Sequence, residues 1–135
     1  MNDTEGLIII ARGAAEHSYS PYSRFRVGAV VVAADGRQFT GCNVENAAYN
    51  ATICAEANAI TTAAASGVRE IDTVAVTCLE GPGCTPCGNC RQMMREFRVR
   101  RVILTDDEGA PVVYELDDLL PHSFGPEDLR PAAEQ

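Results

Sequence analysis

The sequence predicts an α/β fold, a three-layer sandwich in which helices cover a mixed sheet of about five strands. Three observations predict it. Two strand-like runs flank the pair Asp35-Gly36, which signals a hairpin. Further β-branched runs then alternate with stretches of helical length. Of the 135 residues 46% are hydrophobic, enough to fill one core, so residues 1–135 are read as a single domain.

The elements follow in order. Residues 4–17 carry apolar positions at roughly helical spacing and stop at Ser20-Pro21. Residues 27–33 are a dense β-branched strand, and residues 37–43 return as its hairpin partner. Residues 53–66 are rich in alanine, a strong helix former, and Gly67 stands where a helix C-terminus wants a left-handed residue. Residues 73–79 read as another buried strand, and residues 81–85 as a loop with two glycines and a proline. A helix over 88–97, a strand over 101–105, a turn at 106–109, a short strand over 112–114 and a helical turn over 116–120 complete the chain. The tail 131–135 is expected to be loose.

Charge narrows the partners. Eleven basic against nineteen acidic residues give a net charge of −8. A polyanion-binding protein needs a basic patch to displace counterions, so a nucleic-acid polymer is excluded as partner and a small molecule is expected. The apolar run 7–10 is too short for a signal-peptide core, and no stretch approaches the ~20 apolar residues of a membrane span. A cytoplasmic location is therefore expected, where clustered thiols stay reduced and more often bind metal. Of the six cysteines, Cys42, Cys78 and Cys84 read by default as small apolar side chains. His17 and His122 lie away from every cysteine cluster and read as surface or capping residues.

The chemistry concentrates in Cys54-Ala55-Glu56 and Pro86-Cys87-Gly88-Asn89-Cys90. Both stand at predicted helix starts, where free N–H groups and the helix dipole favour thiolate. Cys87 and Cys90 on one first turn, with Cys54 from a neighbouring helix start, make a three-thiolate site for zinc. Three protein ligands leave a fourth position open to water, the mark of a catalytic zinc. Glu56 then reaches the open position without being a ligand. Zinc lowers the pKa of water towards ~7, and a carboxylate beside it can take that proton and deliver it elsewhere. On spacing alone two alternatives stay open. Cys87 and Cys90 could be a redox pair, or Cys84 could complete a structural four-cysteine site.

Four stretches within residues 19–97 belong together: Ser20-Pro21-Tyr22-Ser23-Arg24-Phe25 with Val27-Gly28-Ala29, Phe39-Thr40-Gly41-Cys42-Asn43-Val44-Glu45-Asn46-Ala47, Thr52-Ile53-Cys54-Ala55-Glu56 and Pro86-Cys87-Gly88-Asn89-Cys90-Arg91-Gln92. Through them residues 19–97 resemble the cytidine deaminase family in its small form. Leu119-Leu120-Pro121 with Phe124 is similar to the family's C-terminal end. The resemblance implies hydrolysis of cytidine or 2′-deoxycytidine to the uracil nucleoside and ammonia, in pyrimidine salvage. It implies one Zn2+ per subunit held by Cys54, Cys87 and Cys90, with Glu56 as the catalytic proton carrier. It implies Phe25, Asn43, Val44, Glu45, Tyr49, Ala55 and Phe124 as substrate-binding residues. Among these, Asn43 and Glu45 would hold the ribose 3′-hydroxyl and Phe25 would lie against the pyrimidine. The backbone at Ala55 and Cys87 would bond the base edge. Phe124 and Tyr49 would reach a neighbouring subunit's site, in a homotetramer with shared active sites.

The sequence departs from that family at three places. Ala57 stands where the family usually has an arginine that offsets the thiolate charge, Asn50-Ala51 replaces a glycine-hydrophobic pair, and Cys84 is unusual. Two rival functions follow: a deaminase of a related aminated nucleoside such as blasticidin S, and a non-catalytic structural zinc protein on the same fold. Deamination of a polynucleotide is disfavoured by the charge of −8.

Overall fold

A computed structural model describes residues 3–81 and 83–129. The tail 131–135 lies outside the described residues. The β-branched run forms β1 (Val27–Ala33), which pairs antiparallel with β2 (Gln38–Cys42) and β3 (Ile71–Cys78). β3 pairs parallel with β4 (Arg101–Thr105), and β4 antiparallel with β5 (Pro111–Glu115). The sheet is five-stranded and mixed, in the order β2-β1-β3-β4-β5. The hairpin turn is where the Asp-Gly pair predicts it, with Gly36 at φ 94° and its N–H donating to Ala33 O at 2.9 Å.

Period-2 alternation divides the core in two. Val30, Ala75 and Ile103 face one side, where Leu7, Ile8 and Ala11 of α1 (Asp3–Ala15) bury against them. Ala29, Val31, Val74, Val76, Val102 and Leu104 face the other. There they meet Ala55, Ala59, Ile60 and Ala63 of α2 (Ala55–Ala65) and Met94 of α3 (Gly88–Glu96). A strand buried on both faces needs apolar residues at successive positions, which is why residues 27–33 read as a continuous run. The three-layer sandwich expected from the sequence is thus the fold observed. A last single turn, α4 (Leu116–Leu119), follows β5 directly. No helix among the described residues is long and apolar enough to cross a membrane.

The predicted boundaries shift where tertiary contacts intervene. The helix predicted from residue 53 begins at Ala55, because Ile53 is held in a bridge to Val44 by two backbone hydrogen bonds of 2.9 Å. Cys54 therefore becomes the extended N-cap residue, φ −71° and ψ 156°. The other end closes as predicted: Gly67 adopts φ 94°, its N–H meets Ala64 O at 3.1 Å, and Val68 N–H meets Ala63 O at 3.1 Å. That pair of bonds is a Schellman motif, sealed by buried Val68 in the same cluster as Ala63. Two short 3-10 turns, Tyr49–Ala51 and Pro126–Asp128, are additions the sequence pattern did not signal.

Gly41 sets how closely α2 lies on the sheet. A Cβ there would sit 2.5 Å from Ala59 N and 2.7 Å from Ala55 O, inside the helix backbone. Gly41→Ala must push the helix away and is expected to cost about 1–3 kcal/mol in urea denaturation, the range for overpacking. Because α2 begins at Ala55, the same shift displaces Glu56, so the variant should also lose activity beyond its loss of folded protein.

Candidate active site

α2 and α3 pack on the same face of the sheet and start beside each other. Cys54 and Cys87 are their N-cap residues, both extended, and neither side chain caps its helix. Their sulfurs are thus free to turn towards a common point. Cys90, one turn into α3, is fully buried beneath them. The three Sγ atoms all lie within 4.8 Å of one another. Tetrahedral zinc with Zn–S of about 2.3 Å needs sulfurs roughly 3.8 Å apart, so the set fits zinc with little movement. Burial pushes the Cys54 and Cys90 thiols upward, and the nearby Glu56 carboxylate adds to this. A divalent cation removes that penalty, since a coordinated thiol is held deprotonated.

Glu56 lies in the first turn of α2 and is only 5% exposed. Burial raises its pKa above the ordinary carboxylate range, while its own backbone N–H and the Cys90 thiol pull it part of the way back. A carboxyl so placed holds a proton more readily than an exposed one, which suits a group that accepts and returns protons.

A cavity of about 230 Å³ opens over Cys54, Glu56 and Cys87. Its walls are Phe25, Val27, Asn43, Thr52, Ala55, Cys84 and Thr85. Phe25 is 38% exposed and not a core residue, which leaves its ring available to a ligand. Asn43 is buried: its Oδ1 accepts from Val27 N at 2.9 Å and Ser18 Oγ at 2.5 Å, and its Nδ2 donates to Phe25 O at 2.8 Å. It locks the Phe25 wall and keeps one amide N–H in reserve. Glu45 accepts from Tyr22 N at 2.9 Å, Ser23 N at 3.1 Å and Ser23 Oγ. The Ser23 hydroxyl and these N–H groups hold its carboxyl below the usual range, hence charged. Glu45 lines an adjoining cavity of about 380 Å³ with Tyr22, Ser23, Asn46 and Tyr49, and Thr52 borders both spaces.

The remaining predicted positions stand away from the cysteines' cavity. Val44 is exposed and lines neither cavity, while Tyr49 is 78% exposed and meets Tyr22 edge-on, with centroids 6.2 Å apart. Phe124 is 57% exposed on the C-terminal segment and lines neither cavity. Val27, Thr52 and Thr85 are walls not named among the expected site residues, although Val27 and Thr52 lie within the family stretches and Thr85 adjoins one. Cys84 falls outside the three-sulfur group and stands in the cavity wall, its thiol pushed up by burial. The four-cysteine site therefore lacks its fourth sulfur in this arrangement. Ala57 is buried and brings no charge to the thiols, and both histidines are exposed.

Comparisons with known proteins agree with this geometry. A sequence model described as "Cytidine and deoxycytidylate deaminase zinc-binding region" matches residues 1–106. The chain is 45% identical over 136 residues to the cytidine deaminase of Sporosarcina psychrophila, covering 98% of this chain and 99% of that one. It is 41% identical over 121 residues to the cytidine deaminase of Mycobacterium tuberculosis, covering 88% and 87%. The crystal structure of cytidine deaminase from Burkholderia pseudomallei superposes with a TM-score of 0.82 at 43% identity, covering 92% of this chain and all of that one. With three sulfurs converging above a buried glutamate on the same fold, this chain belongs to the zinc-dependent cytidine and deoxycytidylate deaminase family.

Proposed function

We propose that the enzyme hydrolyses free cytidine and 2′-deoxycytidine to uridine and 2′-deoxyuridine with release of ammonia. The observation that carries this is the convergence of Cys54, Cys87 and Cys90 with buried Glu56 beside a small cavity whose described walls carry no basic side chain. The three cysteines would hold zinc, which supplies water activated at neutral pH. Glu56 takes one proton from the attacking water and gives it to the ring nitrogen, then takes the second from the new hydroxyl on the ring carbon and gives it to the departing amino group. The water oxygen ends on the ring carbon, ammonia leaves, and Glu56 is returned ionised. Phe25 lies against the pyrimidine, and the backbone at Ala55 and Cys87 bonds the base edge. Asn43 donates its spare N–H to the 3′-hydroxyl, which donates in turn to Glu45.

The same walls favour nucleoside over nucleotide. No arginine, lysine or histidine lines either cavity among the described residues, and the charged Glu45 carboxylate lines the adjoining one. A phosphate would be repelled there without compensation. The exposed aromatic and aliphatic rim of Tyr22, Phe25, Val44, Tyr49 and Ile53 supports a homotetramer with composite sites. In that assembly Tyr49 and Phe124 reach neighbouring substrates. A cytoplasmic location, in pyrimidine salvage, suits a site built on three thiolates, which a reducing compartment keeps available for metal.

The test is a continuous ultraviolet assay of zinc-replete protein with cytidine, 2′-deoxycytidine and deoxycytidylate side by side. Turnover of the nucleosides with little or none of the nucleotide is expected, and a flat trace with cytidine sinks the proposal. Glu45→Gln is expected to lower kcat/KM for cytidine about 10- to 100-fold, the worth of a hydrogen bond to a charged group. The 3′-deoxy analogue separates binding from scaffolding. It should be a poor substrate for the wild type, yet lose little more in the variant.

A further inference from the structure

We infer that Arg91 is a positioning residue for the metal, closing the ligand-bearing turn of α3 and so governing how readily zinc leaves. The inference rests on the assignment of Cys87 and Cys90 as ligands. The guanidinium spans two backbone carbonyls, with Nε donating to Pro86 O at 2.8 Å and Nη1 to Leu119 O at 2.6 Å. Pro86 immediately precedes the N-cap Cys87, so its carbonyl lies outside the helical ladder and needs a partner from elsewhere. Leu119 ends α4, where carbonyls are likewise left over by the helix. A planar fork with donors in fixed directions can serve both at once, whereas an ammonium on a flexible stem cannot hold the pair in one geometry.

The link falls where the metal site is otherwise least secured. The segment entering Cys87 contains Gly81 and Gly83, both in the left-handed region at φ 125° and 73°. The Cys87 side chain forms no capping bond. Cys87 is also the exposed ligand of the three, while Cys54 is half-buried and Cys90 buried. Zinc must therefore depart on the Cys87 side, and Arg91 fixes the residue before it. Arg91 also brings the family segment Pro86–Gln92 a guanidinium anchored one residue from a ligand, in a site to which Ala57 adds no charge.

Arg95 supplies the internal control. It holds Ser123 Oγ at 2.9 Å and pairs with Glu127, so it ties the same helix to the same C-terminal segment without touching Pro86. The experiment follows zinc transfer from the loaded protein to a colorimetric chelator, with the visible spectrum of the cobalt-substituted protein as a report on ligand geometry. Arg91→Met is expected to release zinc about 10- to 100-fold faster, the usual effect of removing support around a ligand, and to alter the cobalt bands. Arg95→Met should match the wild type in both, whatever its melting temperature. If Arg91→Met does not fold, Arg91→Lys carries the test, with release expected between the two. Release at the wild-type rate with unchanged cobalt bands in the folded Arg91 variant overturns the inference. So does equal acceleration in Arg95→Met, which would assign the effect to the C-terminal segment. A wild type that binds no zinc removes the ligand assignment and this inference together.

Discussion

Glu56→Gln is expected to lower kcat on cytidine by about 10²- to 10⁴-fold, the span of general acid–base catalysis, while the protein keeps one zinc per chain. The amide occupies the same buried space but can neither take a proton from water nor return one. Because the side chain is only 5% exposed, no solvent base can replace it. Stability should move in the opposite direction from activity. In the metal-free protein burial raises the Glu56 pKa above its ordinary value, so the unfolded chain gives up its proton first. The carboxyl therefore weakens the fold increasingly as pH climbs from the unfolded to the folded pKa, and by a constant amount above that. The glutamine variant escapes this loss. Zinc-stripped Glu56→Gln should melt at or above the wild-type temperature at neutral pH and match it in acid. Activity above a tenth of wild type, with zinc retained, would remove Glu56 from the proposed role.

Cys87→Ala is expected to empty the metal site and abolish turnover without disturbing the metal-free fold. The separation follows from where the three cysteines lie. Cys87 is exposed and makes no capping bond, so its truncation leaves no cavity and no unsatisfied donor. Two thiolates then remain where zinc needs three, and after dialysis against a chelator the metal content should fall from about one per chain towards zero. Cys90→Ala should do the same and also destabilise the metal-free protein, because Cys90 is fully buried and its removal opens a void. Cys84→Ser should keep its zinc, since that sulfur lies outside the group. Metal analysis beside the melting temperatures of the stripped proteins distinguishes the three. Zinc lost from Cys84→Ser and kept by Cys87→Ala would reverse the ligand assignment.

Much of this site is legible without coordinates because the signals are local. The strand 101–105 is recognised from its β-branched residues and confirmed to the residue. Two cysteines three apart at a helix start need only helical geometry to share a metal. The N-terminal shift of α2 was not legible, because nothing within residues 53–55 forbids helix there. The bridge between Ile53 and Val44 forbids it, and that contact joins separate motifs. The arginines at 91, 95, 100 and 101 show the same limit. Nothing local names their partners, yet Arg91 holds backbone carbonyls, Arg95 and Arg100 pair with Glu127 and Asp72, and Arg101 pairs with Asp3.

The sequence by itself determined the fold class and the element order, and it offered Cys54, Cys87, Cys90 and Glu56 as candidates while leaving Cys84 open as a fourth ligand. Fold class and order depend on propensity and hydrophobic period, which are local, and the likeness to the deaminase family is carried by short motifs along the chain. Only the tertiary structure decided that Cys54 joins Cys87 and Cys90 while Cys84 does not, because sulfur-to-sulfur distance depends on how two helices lie on one sheet. It also decided that Asn43 and Glu45 are braced by Ser18, Ser23 and the Phe25 backbone. Side-chain partners are set by packing across the chain, and packing is a property of the fold as a whole.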